Sequence, residues 1–212
     1  MTKREWIDYV KEHVGKLDPS RDFHKNTISR AISIAYENFV YNTYRSKPYE
    51  LDVLGVEYDV SVSYDSNKQR YYSTLPCDVV VINKTGSGVI NISTKMGLGY
   101  EFVPMYLQEI RMISDLEVDE MTGEIGFALV GDTILYSSLM TSGIASAGVT
   151  ITVVQQFYEY GLDDNISIPA GQGEQLLQAV LSVLSIKNEE VLLNNNENVK
   201  YGNRVGQSGK TQ

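Results

Sequence analysis

The chain has 212 residues, 42% hydrophobic and 21% charged, an ordinary globular composition that excludes wholesale disorder and fibrous repeats. Its net charge of −9 is the wrong sign for a general nucleic-acid gripper. A single cysteine, Cys77, excludes an intrachain disulfide and a cysteine-based zinc site, and two histidines, His13 and His24, leave little for histidine-centred catalysis.

The first 47 residues read as a helical pair. Thr2 and Glu5 have the spacing of a capping box, and Trp6, Val10 and Val14 then recur on one face. Gly15 is expected to end this helix. Asp18-Pro19 is expected to start the next element, with Asp as cap and Pro in the first helical position. From Asn26 to about Tyr44, Ile28, Ile32, Ala35 and Phe39 form one apolar stripe opposite Ser29, Arg30, Ser33 and Glu37. Lys47-Pro48 closes that helix, because the residue before proline is pushed out of helical geometry.

After Pro48 the period changes to two. Leu51 and Val53, then Val60, Val62 and Tyr64, alternate with polar residues. Strand-like pieces follow at 70–74, 77–82, 88–92, 126–130, 133–136 and 149–157, and residues 105–112 read as a short helix or irregular. Turn chemistry marks 65–68, 83–88 and 119–123. A last helix over 175–186 has an apolar face of Leu176, Leu177, Val180, Leu181 and Leu184. Residues 194–212 have little to bury and read as an extended tail. The fold class is therefore α+β. An N-terminal helical segment (1–47) precedes an antiparallel β body, a sandwich or a partly closed barrel, with a C-terminal helix (48–193), and the extended tail (194–212) follows.

Met1 to Trp6 mixes acids and bases with no apolar run behind it, so no secretory signal is expected. Residues 133–158 carry no charge. They are long enough to cross a bilayer, but ten Ser, Thr and Gln residues dilute them, so buried strand and subunit interface are expected instead.

Charge is unevenly placed. Residues 1–47 are net +3, residues 48–193 net −14 and the tail net +2, and no base occurs between Arg111 and Lys187. A basic helical end on an acidic body lets copies pack head against flank; a plain solvated surface has the same composition.

No enzyme motif is present. His13 lies in a helix with no triad partner near it in sequence, and Cys77 sits in a strand pattern as a small buried hydrophobe. Lys84-Thr85-Gly86-Ser87-Gly88 lacks the glycine-lysine-Ser/Thr order of a phosphate loop and reads as a turn. Asp115, Glu117, Asp119 and Glu120 lack the spacing of a calcium loop and read as a solvated acidic turn. No catalytic residue, metal or cofactor is expected. Of fifteen tyrosines, Tyr36, Tyr41, Tyr44, Tyr49, Tyr58, Tyr64, Tyr71 and Tyr72 crowd the helix-to-sheet junction. Interface contact, core packing and base stacking all use tyrosine. Tyr36, Tyr41, Tyr44, Tyr71 and Tyr72 are taken as subunit-interface candidates.

Two N-terminal helices, a Tyr-rich junction, a strand-rich body and a polar tail resemble the head-to-tail connector (adaptor, or ring) proteins of short-tailed bacteriophages. Tyr72-Ser73-Thr74-Leu75-Pro76-Cys77-Asp78, Gly88-Val89-Ile90-Asn91-Ile92 and Ile166-Ser167-Ile168-Pro169-Ala170-Gly171-Gln172-Gly173-Glu174 are similar to virion proteins of crAss-like phages. The resemblance implies a non-enzymatic virion protein, made in the host bacterial cytoplasm. It implies a homo-oligomeric ring, commonly of twelve copies, joining the portal to a downstream tail or ring protein. By the same resemblance the tail after Asn194 grips the portal or a neighbouring ring. Val199, Tyr201 and Val205 would be its anchors, and Lys200, Arg204 and Lys210 its charged contacts. Acids of the body would line a channel through which DNA slides without specific binding. No membrane partner is implied. A stopper or hub elsewhere in the tail is one alternative, and a ligand-binding module built on the β body is another.

Overall fold

In the computed structural model, which describes residues 1–82, 88–95, 99–115, 124–137 and 140–185, a complete capping box opens the first helix, α1 (Lys3–Leu17). The Thr2 hydroxyl accepts the Glu5 N–H at 3.2 Å, and the Glu5 carboxylate accepts the Thr2 N–H at 2.8 Å. Gly15 does not end this helix. It is an exposed interior position, and α1 runs on to Leu17 with Asp18 as its C-cap. Asp18-Pro19 likewise starts no helix. The Asp18 carboxylate turns back onto the N–H and hydroxyl of Ser20, and the second helix, α2 (Lys25–Ser46), begins after His24, whose ring accepts the Asn26 N–H. An aspartate before proline favours a local turn as readily as a cap.

Pro48 stops α2 as expected, but Leu51 and Val53 are not in a strand. A 3₁₀ turn (Pro48–Glu50) passes directly into a one-turn helix, α3 (Leu51–Leu54), which buries Leu51 and Leu54. Among the described residues eight strands follow: β1 (Val56–Val60), β2 (Ser63–Asp65), β3 (Arg70–Thr74), β4 (Val89–Thr94), β5 (Glu101–Pro104), β6 (Glu124–Val130), β7 (Thr133–Tyr136) and β8 (Val149–Val153). Helices α4 (Leu107–Asp115) and α5 (Ser142–Ala147) are interspersed, and α6 (Gly173–Val183) follows the strands. The turn at 65–68 is present: the Asp65 carboxylate accepts the N–H groups of Asn67 and Lys68. Residues 77–82 form only an isolated bridge, Val79 to Gln155. The residues of the expected strand 149–157 beyond Val153 form that bridge and then a 3₁₀ turn (Phe157–Glu159). The last helix stops at Val183, with Leu184 as its C-cap, short of the expected 186. The expected turn at 119–123, most of the loop 83–88 and the whole tail lie outside the described residues.

The strands form two sheets, ordered β1-β8-β4 and β2-β3-β7-β6-β5. They pack as an open sandwich and do not close into a barrel. All pairings are antiparallel except β5 with β6, which is parallel. These two strands flank α4 in sequence, and parallel neighbours need such a crossover.

Two apolar cores share the smaller sheet. Between the sheets lie Val89, Ile92, Val149, Ile151 and Val153 from one side and Phe102, Ile125, Phe127, Ile134 and Tyr136 from the other. In a second core, α1, α2 and α6 bury Trp6, Val10, Ile28, Ile32, Phe39, Leu176 and Val180 against Val80, Ile82, Val154 and Phe157, joined from the smaller sheet by the partly buried Val56 and Ile90 at one end of it. The result is a two-sheet sandwich with the helices packed at that end, while the outer face of the smaller sheet leaves Glu57, Asp59, Asn91 and Ser93 exposed. Gly88 sits where the chain presses on residues 79–80; a Cβ there would fall 2.2 Å from the Val80 carbonyl oxygen.

The uncharged run 133–158 is accounted for by these cores. Ile134, Tyr136, Ile144, Val149, Ile151, Val153, Val154 and Phe157 are all buried within the chain, so those side chains form core, not subunit interface.

Two buried phenols give opposite expectations. The Tyr136 hydroxyl donates to Ser73 at 3.1 Å, and Ser73 donates on to the Ser61 carbonyl. The Tyr36 hydroxyl is buried without a well-formed partner. Tyr136→Phe should cost about 1–2 kcal/mol in denaturant unfolding, whereas Tyr36→Phe should be neutral or stabilising. Burial pushes the Tyr136 phenol up to about 12, above the roughly 10 of an unfolded tyrosine. Its contribution is complete below pH 10 and is lost as pH rises toward 12, at up to about 1.4 kcal/mol per pH unit. Tyr136→Phe should therefore flatten the alkaline loss of stability, and an unchanged slope would contradict this.

Candidate functional site

The two histidines serve local structure. The His13 ring packs against Tyr9, 4.3 Å between centroids, with Nδ1 3.0 Å from the Tyr9 carbonyl oxygen, and His24 caps α2. Among the described residues, no three His, Cys, Asp or Glu side chains gather as a metal site. Glu117, Asp119 and Glu120 lie outside the described residues, as do Lys84 to Ser87.

Polar chemistry does collect where the two cores meet. The Tyr58 hydroxyl donates to the Gln155 carboxamide, which is buried. Cys77 lies beside Tyr58, and the Tyr160 phenol beside Tyr36. Burial pushes the Tyr58 phenol up to about 12 and the Tyr36 and Tyr160 phenols up as well. Burial also raises the Cys77 thiol, with Glu159 and Asp78 adding to the shift and Tyr58 opposing it. These groups stay neutral at pH 7, an arrangement that fixes packing and offers no nucleophile.

Lys3 ties the N-terminus to this junction. Its ammonium donates to the carbonyls of Tyr158 and Tyr160 at 2.9 and 2.7 Å and lies 5.4 Å from the Phe157 ring centroid. Burial lowers its pKa, while Glu159 and Asp164 oppose that. The backbone of Lys3 and Arg4 bonds to Asp164 and Leu162, and Arg4 pairs with Asp163 at 3.1 Å.

The interface tyrosines proposed from sequence divide. Tyr36 is 0% exposed, so it is core and its side chain is not available to a second copy. It faces inward because its helical position falls among Ile32, Ala35, Phe39 and Val40. Tyr44 is half-buried against the helical core. Tyr41 is exposed, with the Arg45 guanidinium 5.8 Å from its ring centroid. Tyr71 is half-buried on the inner core and pairs across the β2–β3 hairpin with Tyr64, 4.9 Å between centroids. Tyr72 is half-buried too, and strand alternation turns it to the other face of the sheet. Val199, Lys200, Tyr201, Arg204, Val205 and Lys210 lie outside the described residues.

The basic character of the first 47 residues is largely consumed locally. Lys11, Lys16, Arg21, Lys25 and Lys47 pair with Asp22, Glu12, Asp18, Asp8 and Glu50 at 2.6–3.5 Å. Among the described residues, Arg30 and Arg45 have no ion pair. Both are exposed on α2.

Concavities are also present among the described residues. One of about 340 Å³ lies between α2 and α6 and is lined by carboxamides, Asn38, Asn42, Gln172 and Gln175 among them; Gln172 bonds to Glu50 there. Another, about 460 Å³, lies on the β body between residues 75–81 and the β6–β7 turn. It combines Asp78, Asp132 and Gln156 with Leu75, Val79, Val81 and Leu129. Sequence reading missed this second site. Its carboxylates are 54 positions apart, and only the pairing of β3 with β7 brings the two segments together, through the Leu75 N–H on the Asp132 carbonyl.

No family model matches the chain, and no curated protein matches it.

Cys77 provides a direct check of the junction. Half-buried, with its thiol pushed up, it should react with a maleimide at pH 8 about tenfold or more slowly in the native protein than in denaturant. Equal rates would show that the junction is open to solvent.

Proposed function

We propose that this chain is a structural assembly protein, the connector that joins the portal of a short-tailed bacteriophage to its tail and continues the DNA channel. The observation that carries this reading is the separation of charge. Unpaired arginines stand on the helical layer, and acids on the β body at Asp78 and Asp132 meet no cation among the described residues. Copies of a net-acidic chain repel at a distance and adhere only through complementary patches, which favours ordered association over aggregation. The same acidic body suits a channel wall, since it repels phosphate and lets DNA pass unbound.

On this reading the protein forms a ring, of about twelve copies by the family resemblance, in the virion. Its partners are the portal and a downstream tail or ring protein. Tyr41, Tyr44, Tyr71 and Tyr72 supply contact area between subunits, and Val199, Lys200, Tyr201, Arg204, Val205 and Lys210 contact the portal or a neighbouring ring. It needs no cofactor and performs no reaction. No helix of the described residues is long and apolar enough to cross a membrane. A stopper or hub position in the tail would use the same surfaces. The 460 Å³ cavity is the observation that favours a different reading, a ligand-binding module.

Electron microscopy of the purified protein, alone and mixed with the portal protein of the same genome, tests the proposal. A closed ring, or assembly that depends on the portal, is the expected result. A monomer that ignores the portal would sink it and turn attention to ligands of the cavity. Truncation after Leu193 should leave the body folded and abolish incorporation into particles; retained incorporation would remove the tail from the mechanism.

A further inference from the structure

We propose that the Asp78–Asp132 cavity is the docking site for the exposed α2 face of a second copy of this chain, with Arg30 or Arg45 as the entering side chain. The inference rests on the assembly reading and names the surfaces that would carry it.

The cavity has the chemistry of an arginine receptor. Each carboxylate has one neutral donor: Asp78 accepts the Tyr158 hydroxyl, and Asp132 accepts the Thr133 hydroxyl at 3.0 Å. Neither meets a cation among the described residues. The Gln156 amide donates to the Val79 carbonyl at 3.2 Å, which leaves the two carboxylates as the only charged groups of the site, with the Gln156 carboxamide oxygen as a further acceptor beside them. Beside it stands apolar surface, with Val81 62% exposed. A site with anionic ends and apolar walls suits a weakly hydrated, planar guanidinium on a hydrocarbon stem better than a compact ammonium.

The same chain presents the matching half. Arg30, Ile34, Tyr41 and Arg45 recur at helical spacing on the solvent side of α2. Ile34 and Tyr41 are 43% and 47% exposed, which is apolar area with no cover in the single chain. Arginine and tyrosine flanking an aliphatic residue is the composition of an interface centre. Glu37 shares this stripe and influences Tyr158 of its own body, so the face is net +1.

Two different patches joined between copies make a heterologous contact, which closes into a ring or extends as a filament. Tyr158 lies between the patches, bonded to Asp78 and near Glu37. That closeness also allows two copies to make both contacts at once and close a dimer. Stoichiometry separates these cases.

The test is the molecular mass in solution of the full chain, of Arg45→Glu, of Asp132→Arg, and of an equimolar mixture of the two variants. All the altered side chains are exposed, and each variant's fold is checked by its unfolding transition. Each single variant should associate about tenfold or more weakly than the natural chain. In the mixture the altered helix of one variant can meet the altered cavity of the other, and the natural helix and natural cavity still match, so association should recover. Raised salt should weaken the natural contact.

Variants that associate like the natural chain overturn the docking site; if they also still form rings with the portal, the connector reading survives. A dimer that both variants abolish supports the contact and counts against a ring. A natural chain that stays monomeric at every concentration, alone and with the portal, overturns both. A monomer whose cavity binds an unrelated arginine-bearing peptide overturns the second-copy assignment.

Discussion

Everything in this structure depends on the three-stranded sheet, whose one face is buried in the sandwich core while the other stays largely open to solvent. Its central strand, β8, sends Val149, Ile151 and Val153 into the sandwich core and continues through Val154 to Phe157 into the helical core. A strand whose alternate residues are fully buried tolerates no charge at those positions. That constraint accounts for the uncharged residues at Ile134, Tyr136, Val149, Ile151 and Val153. Thr150 and Thr152 face the other side of the sheet, where the Thr150 hydroxyl donates to Asp59. The Thr152 methyl packs where α3 turns into β1, close enough that Gly55 has no room for a side chain.

Two cores that meet at one end of a sheet need a fastening between them, and the polar junction provides it. Gln155 leaves β8 at the place where the chain passes from one core to the other, and Tyr58, Tyr160 and Cys77 gather around it. Lys3 adds a second fastening by reaching the carbonyls of the turn that follows. A buried ammonium is costly unless fully bonded. Here two carbonyls and an aromatic face receive it, so α1 is held to that turn in one defined position. Such geometry specifies an arrangement more than it adds stability.

The elements governed by local chemistry were legible in the sequence: the Thr2–Glu5 capping box, the stop at Pro48, the turn after Asp65, the strand at 133–136 and the apolar face of α6. Failures occurred where tertiary contacts override local preference. Gly15 stays helical because Val14 and the capped N-terminus hold α1 together beyond it. Leu51 and Val53 look strand-like, but burial of Leu51 and Leu54 under α2 selects a helical turn. The parallel β5–β6 pair carries no signal in residue identity, since it is a property of the crossover. Tyr36 was placed at an interface because tyrosine type alone does not say which face of a helix it occupies. The arginines of α2 were readable; the cavity was not, because it is assembled from segments far apart in the chain.

The charge layout acquires meaning only after the ion pairs are subtracted. Most lysines of the helical layer are paired with acids on or beside their own helices, and exposed pairs of that kind contribute little to stability. Their effect is to mask the +3 of residues 1–47 at most of the surface and to leave arginine as its uncompensated cation. The acids at the cavity are likewise uncompensated, yet remaining in water they cost the single chain almost nothing. A contact made from such groups is weak in an isolated pair of molecules, because both partners give up good hydration to form it. In a closed ring each further contact forms at the high effective concentration set by its neighbours, and weak contacts then suffice. The proposed docking site is thus of a kind that keeps copies apart while they are dilute and joins them where a template gathers them.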